Sequence, residues 1–203
     1  MPRPPNPNLR DDLLAAAIVL LETRGPAFSI RDLAASIQYS TTAIYQCFSN
    51  RADLLKAVQL RLFEELAGQL HPPPSDAGDV SDRIIAIGSA FVTWALAHPT
   101  RYEFMFHNME PDALLEGAER TLAQLPLAVL EGLLTEGMQT GELKAGNAKL
   151  LALMLFSGLH GLVSLHAAKR IQGFTDADPV DVFNEWAVMW LAQLQRDADV
   201  SHG

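Results

Sequence analysis

Cysteine, charged residues and a leader segment are scarce or missing in this 203-residue sequence, and each scarcity excludes a class of protein. The single cysteine, Cys47, excludes an intrachain disulfide and fits a reducing compartment. Charged residues make up only 19% of the chain against 49% hydrophobic residues, a balance that excludes a disordered protein and predicts a large buried core. The N-terminal segment MPRPPNPN has no apolar run of the kind that a signal peptide requires, so we expect a cytoplasmic protein.

Motifs that carry catalysis or hold a metal are also missing from the sequence. It contains no glycine-rich phosphate loop, no nucleophile elbow and no paired-cysteine metal motif. His160 and His166 are six residues apart, a spacing that places them on different faces of a helix rather than in the i, i+4 pairing of a helical metal site. We therefore predict that the chain is not an enzyme and requires no metal or cofactor.

Alternating, strand-like segments are absent as well, and apolar residues recur at helical spacing throughout. The pattern predicts an all-α fold with a helix-turn-helix domain at 1–50, a connecting helix at 50–70 and a helical domain at 71–203. A stretch rich in Pro, Ser, Asp and Gly at 72–78 marks the boundary. Further predicted helices cover 79–98, 101–109, 114–140, 150–168 and 182–194. Pro126 predicts a break or bend near Leu125 in the third of these.

Two short helices at 30–38 and 41–48 form the most informative part of the sequence. Ser29 precedes Asp32 by three residues, the capping-box spacing that begins a helix. Ser40 begins the second helix, in which Ile44 and Phe48 continue a small apolar stripe. Two helices joined by a turn of about three residues predict a helix-turn-helix, whose second helix enters the major groove of DNA.

Charge is distributed in a way that restricts where DNA could bind. Residues 1–61 carry a net charge of +2, whereas the rest of the chain carries −11, for a total of −9. An acidic protein does not bind nucleic acid through bulk charge, so we expect DNA contact only at the N-terminal domain.

The segment from Asn8 to Phe63 resembles the DNA-binding domain of the tetracycline-repressor (TetR) family of bacterial regulators. The resemblance rests on Leu33-Ala34, Ser40-Thr41-Thr42-Ala43-Ile44-Tyr45, Phe48, Arg51 and Asp53-Leu54-Leu55. The family usually has Gly in the turn, then a small aliphatic residue, and Lys at the start of the fourth helix, where this chain has Gln38, Tyr39 and Arg51. A Gln held at positive φ would be strained by roughly 1–2 kcal/mol, which leaves the turn geometry open.

The resemblance implies that the protein binds a palindromic operator through two sets of residues. One set contacts base edges and the other contacts phosphates. Thr41, Thr42, Ala43 and Gln46 lie at the exposed N-terminal part of the recognition helix, where Thr and Gln suit base edges. Side chains that suit phosphates are the hydroxyls of Ser29, Ser40 and Tyr45 and the guanidinium of Arg51.

The C-terminal part resembles a subset of the same family through its tryptophan and His-Gly segments. These segments are Trp94-Ala95-Leu96-Ala97-His98-Pro99, Tyr102 with Phe104-Met105-Phe106, and Gly158-Leu159-His160-Gly161-Leu162. The resemblance implies a dimeric regulator, commonly a repressor, that releases DNA when a small hydrophobic or aromatic effector binds. The candidate effector-binding residues are Phe91, Trp94, Phe104, Met105, Met109, Met138, Phe156 and His160. Each of them could instead be an ordinary core residue.

The segment 150–168 has no Asp, Glu, Lys or Arg over nineteen residues, nearly the length of a membrane span. Polar residues within it and the lack of a second span favour a buried helix that faces its own core on one side and a partner subunit on the other. The helix 182–194 carries two adjacent apolar stripes, which also predicts dimerisation. The predicted interface residues are Leu162, Phe183, Trp186, Trp190 and Leu194. A helical carrier without DNA-binding activity is the alternative, but it leaves the polar face from Thr41 to Gln46 without a role.

Overall fold

The computed structural model describes residues 7–74, 78–107 and 116–195. Over these ranges the regular secondary structure is helical, and no residues form a β-strand. The helices are α1 (Leu9–Arg24), α2 (Ile30–Ser36), α3 (Thr41–Cys47), α4 (Arg51–Ala67), α5 (Val80–Ala97), α6 (Pro99–Phe106), α7 (Gly117–Ala123), α8 (Leu125–Thr140), α9 (Ala148–Ala167) and α10 (Pro179–Ala192). One isolated antiparallel bridge joins Leu143 and Gln195. The all-α prediction is confirmed.

The helices form two compact units, Met1–Glu65 with His98–Leu122, and Leu66–Ala97 with Ala123–Gly203. In the first unit α1, α2 and α3 pack against one another around an apolar core. Its central side chains, which have no exposed surface, are Leu13, Ala17, Leu21, Leu33, Ile44 and Leu54. Burial of each leucine or isoleucine of this kind stabilises the unit by about 1.5–3 kcal/mol, enough to hold two seven-residue helices that would not persist alone.

Helix α6 belongs to the first unit, although we predicted that all residues beyond 70 form one domain. Arg101 explains this placement, because its guanidinium bonds Glu22 of α1 and Glu65 of α4 at 2.8 Å each. The amide of Gln59, which is 2% exposed, donates to the carbonyl of Met105 at 3.0 Å. Polar contacts between residues this far apart in sequence cannot be read from the helical pattern.

The second unit is built around α5, which packs against α8, α9 and α10. A glycine allows the closest of these contacts, because a Cβ on Gly88 would lie 2.1 Å from the ring of Phe183. Phe183 itself has no exposed surface. Gly158 on α9 leaves room for the indole of Trp186 in the same way, so that Phe183 and Trp186 of α10 each pack against a glycine.

Polar contacts hold the N-terminal end of α5 in the second unit. Arg83, which is 8% exposed, bonds Glu136 of α8 at 2.5 Å and the carbonyl of Pro73 at 3.0 Å. The hydrogen bond from Arg83 to Glu136 raises the pKa of Arg83 above its ordinary value. Glu142 accepts from the N–H of Val80 at 2.8 Å and from the hydroxyl of Thr140 at 2.7 Å. These hydrogen bonds, the first of them in particular, lower the pKa of Glu142.

Side-chain caps begin two of the longer helices. Asn50 caps α4 through its amide oxygen, and Asp178 caps α10 through its carboxylate. The break predicted near Leu125 is confirmed, because α7 ends at Ala123 and α8 begins at Leu125 with Pro126 in its first turn.

By length and composition alone, α5 and α9 could each cross a membrane. They differ in burial, because 56% of the apolar window of α5 is buried but only 22% of that of α9. In a single copy, α9 is therefore buried on one side only, and the prediction that its other side faces a partner subunit stays a prediction. One side of α9 faces the core through Ala152, Leu155, Leu159 and Val163, and the other side is exposed.

Candidate nucleic-acid interface

Helix α2 begins at a complete capping box. The N–H of Asp32 donates to the Ser29 hydroxyl oxygen at 3.2 Å, and the Ser29 N–H donates to the Asp32 carboxylate at 2.7 Å. The Ser29 hydroxyl also donates to this carboxylate at 2.6 Å. Hydrogen bonds from the side chain and backbone of Ser29 lower the pKa of Asp32. The Ser29 hydroxyl can therefore donate to a phosphate only by giving up its own hydrogen bond to Asp32.

The turn between α2 and α3 contains a residue in the left-handed conformation that is not glycine. Gln38 has φ 56°, in the region that L side chains rarely adopt. The N–H of Tyr39 then bonds the carbonyl of Ala34 at 3.1 Å, which closes the C-terminal end of α2. The turn of the family is therefore retained at Gln38, which bears a strain of roughly 1–2 kcal/mol.

Helix α3 separates its buried and exposed residues cleanly. Ser40 caps it by accepting from the N–H of Ala43 at 3.2 Å, which leaves the hydroxyl proton available to an external acceptor. Ile44 is fully buried and anchors the helix on the core of the first unit. On the opposite side Thr42, Tyr45 and Gln46 are exposed, while Thr41 and Ala43 are half-buried. All of the side chains that we predicted as base or phosphate contacts on α3 thus have surface available.

Arg51 has a different role from the one that we predicted. Its Nε donates to the carbonyl of Phe28 at 3.1 Å and a terminal nitrogen donates to the carbonyl of Pro26. The guanidinium carbon also lies 6.0 Å from the centre of the Phe28 ring. Arg51 therefore fixes the loop that precedes α2, and this use of its donors argues against the predicted phosphate contact.

Most other cations of the first unit are paired with carboxylates. Arg24 pairs with Asp32, Lys56 with Glu119, and Arg61 with Glu64 and Glu65. Among the described residues of this unit, Arg10, Arg31 and Arg51 form no ion pair, and Arg10 lies over the ring of Phe48 at 5.2 Å. Exposed Arg31, in the first turn of α2, is the charge best suited to a phosphate, and our sequence reasoning missed it. The signal was present, because the residues three and four positions away are Phe28, Ala27, Ala34 and Ala35, none of them acidic.

The predicted effector-binding residues are divided between the two units. Phe91, Phe156 and His160 form an aromatic cluster in the second unit, with ring centres 4.3–5.7 Å apart. Trp94, 8% exposed, and half-buried Met138 belong to the same unit. Phe104 and Met105 are buried in the first unit, and Met109 lies outside the described residues.

The predicted interface residues differ from one another in how far they are buried. Phe183 is wrong as an interface residue, because it lies in the core against Gly88 with no exposed surface. Leu162, Trp186, Trp190 and Leu194 are half-buried. Side chains that we did not predict form an exposed apolar face on α9 and α10. This α9–α10 face consists of Leu150, Leu153, Met154, Leu165, Val188 and Met189, each 49–63% exposed.

No group of three or more His, Cys, Asp or Glu side chains in the described part of the chain could hold a metal ion. The geometry instead defines a class of protein, because an exposed second helix in a helix-turn-helix is the arrangement of DNA-binding regulators. Two family models agree: one described as "Bacterial regulatory proteins, tetR family" matches residues 13–58, and one described as "Tetracyclin repressor-like, C-terminal domain" matches residues 84–189. The chain belongs to the TetR family of transcriptional regulators.

Curated relatives and solved structures agree with this assignment. HTH-type transcriptional regulators from Mycobacterium bovis and Mycobacterium tuberculosis are 26% identical over 124 residues, which cover 57% of this chain and 53% of each relative. The chain thus matches about half the length of these relatives. A protein of unknown function from Rhodococcus sp. RHA1 has a TM-score of 0.79 at 25% identity, covering 97% of this chain and 100% of that one. AibR, in a structure with isovaleryl coenzyme A and operator DNA, has a TM-score of 0.62 at 16% identity, covering 89% of this chain and 97% of that one, and shares the fold.

Proposed function

We propose that this chain is a cytoplasmic, homodimeric regulator of transcription that binds a palindromic operator and represses the genes beside it. The observation that most strongly supports this proposal concerns the α2–turn–α3 segment. Ile44 anchors α3 in the core, while Thr42, Tyr45 and Gln46 are exposed on its outer side. A carrier protein has no use for an exposed polar helix held this firmly by two side-chain caps.

Base contacts fall to Thr41, Thr42, Ala43 and Gln46 in this proposal. The Gln46 amide can donate to and accept from adenine, and Thr methyl groups suit the methyl group of thymine. Phosphate contacts fall to Arg31, Tyr45 and Ser40, whose charge or hydroxyl groups are available. Phosphate contacts fix the position of α3 without reading sequence.

Dimerisation through the α9–α10 face follows from its composition. Six large apolar side chains are at least 49% exposed there in a single copy, a patch of the kind that marks protein interfaces. A two-fold interface pairs the same surface of each copy, and a helix-turn-helix dimer reads two half-sites about one duplex turn apart. Leu162, Trp186, Trp190 and Leu194 would lie at the margin of this interface.

A small hydrophobic or aromatic effector completes the proposal. The cluster of Phe91, Phe156 and His160 supplies apolar walls with one polar tip, which is the usual character of a small-molecule site. The structure of AibR with an acyl coenzyme A and operator DNA supports the general arrangement for a protein of this fold.

The test is selection of bound duplexes from a random pool, followed by gel shifts over a range of salt concentrations. We expect a two-fold symmetric consensus and an affinity that falls steeply with salt, because phosphate contacts release counterions. The triple substitution Thr41→Ala, Thr42→Ala, Gln46→Ala should abolish the preference for the consensus while thermal unfolding is unchanged. Failure to enrich any sequence from the pool would contradict the proposal.

A further inference from the structure

The N-terminal parts of α8 and α9 line an open cleft of about 230 Å³ in the second unit. Its lining residues are Gln124, Leu127, Ala128, Glu131, Lys149, Ala152 and Leu153. None of them belongs to the aromatic cluster of Phe91, Phe156 and His160, and one of them, Leu153, also belongs to the α9–α10 face.

The cleft brings together two opposite charges that do not neutralise each other. Glu131 and Lys149 both line it, and neither side chain forms an ion pair within the described part of the chain. In particular, they do not approach each other within the 4.0 Å that defines an ion pair. A carboxylate and an ammonium group that line one cleft without pairing are complementary to a molecule that carries both charges itself.

The remaining lining residues limit the rest of such a molecule. Leu127, Ala128, Ala152 and Leu153 are apolar, and the two alanines leave open the space that larger side chains would fill. The volume corresponds to roughly eight water molecules at liquid density. Pockets for drug-sized ligands occupy about 300–1,000 Å³. The cleft therefore suits a ligand with one short aliphatic group.

We infer that this cleft binds a small zwitterion with an aliphatic side chain, of the amino-acid class. Its ammonium group lies at Glu131, its carboxylate at Lys149, and its aliphatic group against Leu127 and Ala152. The inference goes beyond the proposed function, because binding of the zwitterion does not depend on DNA binding.

Isothermal titration calorimetry with L-leucine as the probe tests the inference. We expect one site per chain with a Kd of about 1 mM or tighter, a modest affinity that suits a small ligand with few contacts. Isopentylamine and 4-methylpentanoate each lack one of the two charges. Both should bind at least about tenfold more weakly, because each leaves one lining charge without a partner.

Variants at the two charged positions supply the controls. Glu131→Gln and Lys149→Gln should each weaken L-leucine binding at least about tenfold, whereas Lys149→Arg keeps the charge and should retain most of the affinity. Lys169→Gln removes an exposed charge outside the cleft and should change nothing. Circular dichroism melts of every variant establish that each one is folded.

Absence of L-leucine binding to the folded wild-type chain overturns the inference, as does wild-type affinity in Glu131→Gln and Lys149→Gln. Gel shifts on the same preparations separate it from the proposed function. If the chain binds operator DNA but no zwitterion, only the proposed zwitterion binding is contradicted. If it binds L-leucine but no DNA, only the proposed regulatory role is contradicted.

Discussion

The guanidinium groups of Arg31 and Arg51 are both exposed, but their surroundings give them different uses. Arg51 donates to two backbone carbonyls and lies over the Phe28 ring. Arg31 has no ion pair among the described residues and extends from the first turn of α2. The charge that is free to meet a phosphate is therefore on the helix that supports the recognition helix, and the charge at the start of α4 is a structural one.

Replacement of Arg31 by alanine should weaken binding to all duplexes by a similar factor. Removal of one phosphate contact also lowers the slope of log affinity against log salt concentration by about one unit per subunit. Gel shifts at several salt concentrations measure both effects. Arg61→Ala is the matched control, because Arg61 is already paired with Glu64 and Glu65 and its loss should leave the slope nearly unchanged. Equal slopes for wild type and Arg31→Ala would remove Arg31 from the interface.

Gln46→Ala should act on sequence preference instead of on overall affinity. Gln46 is exposed on α3, where an amide can make two hydrogen bonds to adenine, and a contact of this kind discriminates by about 1–3 kcal/mol. We expect relaxed preference at one base pair of each half-site and unchanged binding to non-specific DNA. Competition against single-base operator variants measures the change. A uniform loss across all variants would instead indicate a phosphate contact.

At the scale of a helix, local signals predicted most boundaries, because capping is a matter of a few neighbouring residues. Ser29 with Asp32, Asn50 and Asp178 cap the helices that we predicted for them, and Pro126 separates α7 from α8. Which face of a helix is buried depends on distant residues and was less predictable. Phe183 belongs to an apolar stripe that is equally suited to a core or an interface. Its burial is decided by Gly88, 95 positions earlier, which offers the space for its ring.

The same limit applies to the candidate sites. The α3 face was predictable, because the helix-turn-helix places its residues through local geometry alone. The role of Arg51 was not, since it depends on the carbonyls of Pro26 and Phe28 in a loop more than 20 residues earlier. The division of the effector candidates was missed for the same reason, because α6 is held in the first unit by Arg101 and Gln59.

The contact between α5 and α10 gives a sharp test of packing. Gly88→Ala would place a methyl group 2.1 Å from the ring of Phe183, which is enclosed and cannot move away without disturbing its neighbours. We expect a loss of about 1–3 kcal/mol in the free energy of unfolding, as for other overpacked cores. Gly132→Ala in α8, where nothing lies within 4 Å, should be neutral or stabilising by up to about 1 kcal/mol. Urea titrations compare the two, and an unchanged midpoint for Gly88→Ala would contradict the contact.

Glu142, which accepts a hydrogen bond from the start of α5, makes the free energy of unfolding depend on pH. The Val80 N–H, the Thr140 hydroxyl and nearby Arg83 favour the carboxylate, so the pKa of Glu142 is lower in the folded chain than its ordinary value of 4.5. A lowered folded-state pKa means that the stabilisation is present above the unfolded value, near 4.5, and is lost as the pH falls through the folded value.

Glu142→Gln should therefore destabilise the chain at neutral pH by up to about 1 kcal/mol, because hydrogen bonds to a charged acceptor contribute more than those to a neutral one. The gap between wild type and variant should narrow as the pH falls from 4.5 through the lower pKa that Glu142 has in the folded chain. Melting temperatures from pH 7 to pH 3 measure this dependence. A gap that stays constant over the whole range would show that the charge of Glu142 is not what holds the start of α5.

At the scale of the whole molecule, the apolar surface of α9 and α10 requires an explanation that one chain does not supply. Helix α9 is apolar enough to cross a membrane, but its core-facing side packs on α5 and α8. A membrane span would lose these contacts, whereas a second copy covers the exposed side and leaves them intact. The apolar surface of α9 and the helix-turn-helix then both indicate a dimer, because the two half-sites of an operator need two copies of the chain at a fixed spacing.

Met189→Glu should separate the dimer that we propose. Met189 is 63% exposed on α10, so a glutamate is tolerated in a single copy, but two of them in a two-fold interface would bury unpaired charges. We expect a monomer by analytical ultracentrifugation, an intact helical spectrum and a strongly weakened gel shift. Phe174→Glu makes the same change at a side chain that is 90% exposed outside α9 and α10, and it should remain dimeric. If Met189→Glu still sediments as the wild type does, the copies do not associate through this face, and the exposed side of α9 must be covered by something other than a second copy.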